Sequence, residues 1–169
     1  EQAAAKPEDA YRYYETVRKL IRKYAPNKSS LQVISGEWAY SAVKGFTVEQ
    51  QAQFIAREFL VNLANGIPLS IWYDWRDDGT DPEEKEHHFG TVYQDLSEKP
   101  AHKAVGVLAC ELDGFRAGSR IDGSSDEDYL VLFARGEDTC LAAWTTGRPH
   151  RVKLTVDVED FSCVSLLGE

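Results

Sequence analysis

No run of apolar residues in this sequence approaches the roughly 20 needed to cross a bilayer as a helix. The amino terminus lacks a signal-peptide pattern, which leaves secretion open. Basic residues are in the minority: 19 Lys and Arg against 28 Asp and Glu give a net charge of −9. That balance argues against a nucleic acid partner and against an anionic membrane surface. Cysteine is scarce as well. Cys110, Cys140 and Cys163 lie far apart and match no metal-ligand spacing, so they read as buried free thiols, with no metal and no cofactor implied. There is no internal repeat and no low-complexity tract. What remains, 43% hydrophobic and 11% aromatic residues, is the composition of a globular chain.

The chain is organised around Leu31–Ser41, Leu-Gln-Val-Ile-Ser-Gly-Glu-Trp-Ala-Tyr-Ser. Leu31, Val33 and Ile34 make the short apolar run of a buried parallel strand, followed at once by Gly36, Glu37, Trp38 and Tyr40. A carboxylate at the carboxyl end of such a strand stands where α/β barrels build their active sites. From this stretch alone, Glu37 reads equally as a loop acid and Trp38 as a core residue. Pro68–Gly79, Pro-Leu-Ser-Ile-Trp-Tyr-Asp-Trp-Arg-Asp-Asp-Gly, repeats the design. One helix separates the two stretches, so they form a βαβ unit with both polar ends at one sheet edge.

Around that unit the periodicity predicts three helices. Pro7–Ala25 carries Ala10, Tyr13, Tyr14, Val17, Leu20, Ile21 and Tyr24 on one stripe and stops at Pro26. Thr47 and Gln50 have capping-box spacing ahead of Val48, Ala52, Ile55, Phe59 and Leu63, and Asn65-Gly66 ends that helix. Ser97 is the expected cap of a third, with Pro100 in its first turn and an end at Asp113-Gly114. The Ala-rich Glu1–Lys6 suggests a helix end or linker remnant. A long acidic loop, 76–98, lies before the third helix, and loops of that length tend to be functional. Beyond a Gly/Ser/Asp-rich linker at Asp122–Asp128, the runs Tyr129–Phe133, Cys140–Thr145, Arg151–Val156 and Ser162–Leu167 read as an antiparallel sheet.

The pair "SGEW.YS" and "IWYDWRDDG", followed by "EHHFG" and "KPAHKAV", resembles the last quarter of a clan-A glycoside hydrolase. These are the retaining (β/α)8-barrel enzymes of cellulase and β-xylosidase type. The resemblance implies an α/β chain: the last part of a TIM barrel over residues 1–118, then part of a small antiparallel β-sandwich over 119–169. A complete barrel needs roughly 250 residues. The remaining strands are therefore expected from an upstream part of the same protein or from a partner chain.

By the same resemblance Glu37 matches the nucleophile of a two-carboxylate retaining mechanism. The family's acid/base Glu follows an Asn, and no Asn-Glu pair occurs in this sequence. Trp72 matches the tryptophan that stacks on sugar, with Trp38, Tyr40, Tyr73 and Trp75 as further aromatic candidates. By strand alternation Tyr73 points opposite to Trp72, and Trp75 packs under the loop. Barrel core is the alternative role for Trp72. Asp74, Asp77 and Asp78 are candidate acceptors for sugar hydroxyls. His87 and His88 read as loop structure or a substrate contact, with His88 the candidate carried forward, rather than as metal ligands.

The implied activity is retaining hydrolysis of a β-linked oligo- or polysaccharide, in an extracellular or periplasmic setting. The alternatives are a carbohydrate-binding or scaffold protein without catalysis, and one half of a split barrel. Two geometric expectations follow. Glu37 and Trp72 should converge on one pocket, and the peptide Trp72–Tyr73 should be cis.

Overall fold

The computed structural model describes residues 5–28, 30–121, 123, 125–155 and 160–169. Pro7–Asp9 form a 3-10 turn that leads into helix α1, Ala10–Tyr24. Strand β1 is Ser35–Trp38, helix α2 is Val48–Ala64, and strand β2 is Ser70–Trp72. After the long loop come helix α3, Pro100–Glu111, and strands β3, Arg116–Ile121, β4, Asp128–Arg135, and β5, Asp138–Thr145.

The capping box at Thr47 is formed: its hydroxyl accepts from the Gln50 N–H, and the Gln50 side chain accepts from the Thr47 N–H. Strands β1 and β2 pair in parallel with Ser35 opposite Ser70, as expected of a βαβ unit. They are the only strands of that sheet among the described residues, so no closed barrel is present in them. Helices α1 and α2 cover one face of the pair. The other face is bare: Ile34, Leu69 and Ile71 are about half exposed, and a Cβ added to Gly36 would meet nothing within 4 Å. Strand β1 also begins four residues later than the apolar run that signalled it. Leu31 and Ile34 are exposed rather than buried, because no third strand lies against them here.

The second sheet is antiparallel, in the order β3-β4-β5. A two-residue turn joins β4 and β5, with Gly136 at φ 60°, a region L-residues seldom adopt. Val131 and Phe133 of β4 bury against Leu60 of α2. The sequence did not mark β3, whose Arg-Ala-Gly-Ser-Arg-Ile has little strand propensity; backbone pairing to β4 makes it. Arg151–Thr155 and Ser162–Leu167, expected as strands, form none, and Val156 lies outside the described residues, as do Glu1–Ala4, Asp122 and Ser124. After α3 the described residues thus contain one three-stranded sheet rather than a two-sheet sandwich.

A buried acid joins α2 to the second sheet. Glu8, 7% exposed, accepts both Arg57 Nε and an Nη nitrogen at 2.6 and 2.5 Å, and Trp144 Nε1 of β5 at 2.8 Å. Burial raises the Glu8 carboxyl, but the Arg57 guanidinium outweighs it and holds the group below its ordinary value. Helix α3 starts after Lys99 with Pro100 in its first turn; Ser97, the expected cap, bonds Asp95 instead. The three cysteines are free, but Cys110 and Cys163 are exposed and Cys140 is half-buried, so the expectation of buried thiols fails. No helix among the described residues is long and apolar enough to cross a membrane.

Candidate active site

Both parallel strands run out at the same edge, and the loops that follow them are tied together there. Gln51 of α2, wholly buried, donates from Nε2 to the carbonyls of Tyr40 and His88 at 2.8 and 3.1 Å. Ser41 Oγ donates to the Lys85 carbonyl at 2.6 Å. These contacts set a depression of about 520 Å³ at the strand ends, lined by Glu37, Ala39, Tyr73, Lys85, Glu86 and Phe89.

Glu37 lies in it with an exposed side chain. The pairing of β1 with β2 is irregular between Ser35 and Trp38. Ser35 reaches Glu58 of α2, and Trp38 packs on Ala10, Tyr14, Val61 and Ile67. Both therefore face the helices, and Glu37 is left for the open side. The irregularity is what aims the carboxylate.

The partner of Glu37 in the depression is Tyr73, not Trp72. Ser70 and Trp72 share the helix-facing side of β2: Ser70 accepts from Asn62, and Trp72 packs on Ala52, Ile55, Ala101 and Ala104. The Trp72 indole N–H donates to the Phe89 carbonyl at 3.2 Å. The expected convergence of Glu37 and Trp72 thus fails, although their strand ends do share an edge. Alternation puts Tyr73 on the open side, opposite to Trp72 as expected. The charge of Asp78, then burial, then Asp74 and Glu86 raise the Tyr73 hydroxyl above its ordinary pKa, so it stays a neutral donor at the pocket. The cis peptide also falls one residue later than expected, at Tyr73–Asp74.

The other candidates separate cleanly. Tyr40 is 7% exposed, packs among Trp38, Phe46, Phe54 and Trp72, and donates its hydroxyl to the Ala5 carbonyl. It and Trp38 hold the core together rather than line the depression. Asp77 is 1% exposed; Lys99 Nζ and the Gly90 N–H donate to its Oδ1 at 2.6 and 2.8 Å. Closed off in this way, it has no surface for a sugar hydroxyl. Asp74 accepts the Trp75 N–H from its own chain and lies beside Tyr73. His88 is a loop clamp, its Nε2 2.7 Å from the Asp81 carbonyl and its Nδ1 3.8 Å from Asp77. Trp75, expected under the loop, is 62% exposed. Among the described residues no group of three His, Cys, Asp or Glu is arranged to hold a metal ion.

Sequence reasoning missed three residues: Gln51, Lys99 and Gly90. A Cβ on Gly90 would collide with the backbone of Arg76 and Asp77. Gly90→Ala is therefore expected to force the loop apart and lower the thermal midpoint by several degrees, the result of a loss of roughly 1–3 kcal/mol. A melting curve unchanged from wild type would refute that packing.

No family model and no curated protein matches this chain. Among solved structures it is similar to a family 39 glycoside hydrolase from the gut symbiont Bacteroides cellulosilyticus WH2, with 27% identity and a TM-score of 0.72. The match covers 86% of this chain and 30% of that one. The fold is glycoside hydrolase-like, and the chain spans under a third of the relative's length.

Proposed function

We propose that this chain is the carboxyl-terminal part of a retaining, clan-A type β-glycoside hydrolase and supplies its nucleophile, Glu37. The observation that carries the reading is the exposed Glu37 carboxylate at the end of a parallel strand, across a depression from Tyr73, in a glycoside hydrolase-like fold. In this reading residues 1–118 are barrel and 119–169 belong to an accessory β domain.

The chemistry needs two carboxyls, roughly 5–5.5 Å apart. The Glu37 carboxylate attacks the anomeric carbon as the bond to the leaving oxygen breaks. A general acid donates its proton to that oxygen, and then, as base, takes a proton from the water that releases the sugar. That second carboxyl comes from barrel strands supplied by another segment of the protein or by a partner chain. The bare side of β1 and β2 supports such a complement, with Ile34, Leu69 and Ile71 half exposed. So does the apolar row Tyr13, Val17, Leu20 and Tyr24 on α1, each at least 39% exposed. Tyr73 and Trp75 are the aromatic faces open to a β-linked oligo- or polysaccharide, and Asp74 and Asp78 flank Tyr73 as hydroxyl acceptors. The polymeric substrate suggests an extracellular or periplasmic setting.

The test is covalent trapping. The complete protein, treated with dinitrophenyl 2-fluoro-β-glucoside or the matching xyloside, is expected to carry one fluoroglycosyl group on the peptide containing Glu37. Sugar binding without labelling or turnover would instead favour a non-catalytic carbohydrate-binding protein. Residues 1–169 alone are expected to self-associate and to lack turnover, since two strand edges and an apolar face stay open. Light scattering and an aryl glycoside assay read both; a monomer with Glu37-dependent turnover would overturn the complement.

A further inference from the structure

Beneath the depression lies a buried polar network that the proposed chemistry does not use. Glu58 of α2 is 1% exposed and Asn62, one turn on, is equally buried. The Asn62 amide donates to Glu58 Oε1 and to Ser70 Oγ, the latter at 2.8 Å, while Tyr14 of α1 donates to Asn62 Oδ1. Ser35 Oγ is 3.4 Å from Glu58 Oε1. Ser35 and Ser70 face each other in the β1–β2 register, so one helix turn ties both site strands two residues before Glu37 and Trp72. Glu58 Oε2 is buried and has no hydrogen-bond partner among the described residues.

We infer that Glu58 is a positioning residue for Glu37: its buried carboxyl fixes β1 through Ser35 and β2 through Asn62. The inference rests on the reading of Glu37 as nucleophile. A carboxylate at this place would bury a charge with one oxygen unsatisfied, and among the described residues no ion pair reaches it to compensate. The titratable groups facing it are few. Tyr14 from α1 and Tyr40 from the loop after β1 both have hydroxyls raised by burial, so they stay neutral. Glu8 beyond them is held by Arg57. Burial pushes Glu58 up to about 7, against the opposing bonds from Asn62 and Ser35. Between its ordinary 4.5 and about 7 the folded state holds more protons than the unfolded one. Stability therefore falls as pH rises through that window, and the folded-state carboxyl itself ionises around its upper end, where the buried charge works against the packed arrangement of the two strands.

The experiment measures the rate at which dinitrophenyl 2-fluoro-β-glucoside or its xyloside labels Glu37 in the complete protein. The activated leaving group needs no general acid, so the pH profile reports the nucleophile and its placement. Wild type is expected to label about tenfold more slowly at pH 8 than at pH 6, as a group ionising near 7 would dictate. Glu58→Gln, neutral at every pH, is expected to label at a rate that varies less than about twofold over that range. Its melting temperature should lose the wild-type fall with pH. Ser35→Ala, which keeps the carboxyl and cuts its tie to β1, should also lose the pH dependence of labelling while keeping that of melting. Identical labelling profiles for wild type and Glu58→Gln would overturn the inference and leave the nucleophile standing. Absence of any label on Glu37 would remove both.

Discussion

Glu37→Gln in the complete protein is expected to lower turnover of an aryl β-glycoside by roughly 10⁴–10⁶-fold, the scale seen when an enzyme loses a residue of its reacting unit. That corresponds to about 5.5–8 kcal/mol of transition-state stabilisation. The amide keeps the shape of the carboxylate but cannot attack the anomeric carbon, so the covalent intermediate does not form. Stability should hardly change, because Glu37 is exposed and makes no hydrogen bond or ion pair among those found in the fold. Folding and the proposed chemistry are thus separable at this position. Glu37→Gly adds a second reading: it leaves room for azide, which is expected to attack the anomeric carbon directly and give a glycosyl azide of inverted configuration. Turnover within tenfold of wild type for Glu37→Gln would end its assignment as nucleophile.

The parts of this architecture legible in the sequence are those written in local chemistry. The α2 start could be read because Thr47 and Gln50 satisfy each other's backbone donors within four residues. The βαβ unit could be read because apolar runs end in acids and aromatics twice. What could not be read depends on which side of a strand a residue takes. The irregularity between Ser35 and Trp38 changes the alternation within β1, and the contact of Ser70 with Asn62 sets it within β2. Those two facts turn Trp72 toward the helices and leave Tyr73 beside Glu37, the reverse of what the motif suggested. A polar signal was available: Ser35 and Ser70, small and hydrophilic inside otherwise apolar strands, mark the side that meets Asn62 and Glu58. Strand β3 was hidden for a different reason, since its pairing belongs to its neighbour and its own side chains carry no pattern. The loop from 76 to 98 was recognised as long and acidic, but its internal order is made by contacts up to 22 residues apart.

That internal order includes one buried ion pair, and Lys99→Met in the complete protein is expected to cost roughly 3–5 kcal/mol of stability. Lys99 and Asp77 are each 1% exposed, with Nζ 2.6 Å from Oδ1. Lys99 Nζ also donates to the Gly90 carbonyl at 3.0 Å, while the Gly90 N–H donates back to Asp77. Burial lowers the Lys99 pKa, and the Asp77 carboxylate opposes that, the mark of a charge held in place by its partner. Methionine fills the space and removes the cation. Asp77 is then left as a buried carboxylate with the Gly90 N–H and, at 3.8 Å, His88 Nδ1. That loss should loosen the segment carrying Lys85, Glu86 and Phe89, one wall of the depression. The Michaelis constant is therefore expected to rise along with the fall in stability. The double variant Asp77→Asn with Lys99→Met removes the stranded charge and should recover at least half of the loss, since a buried pair taken out whole costs far less than one partner. Denaturant titration of the two variants decides it. A double variant as unstable as Lys99→Met alone would mean that packing around Lys99, and not its charge, holds the loop.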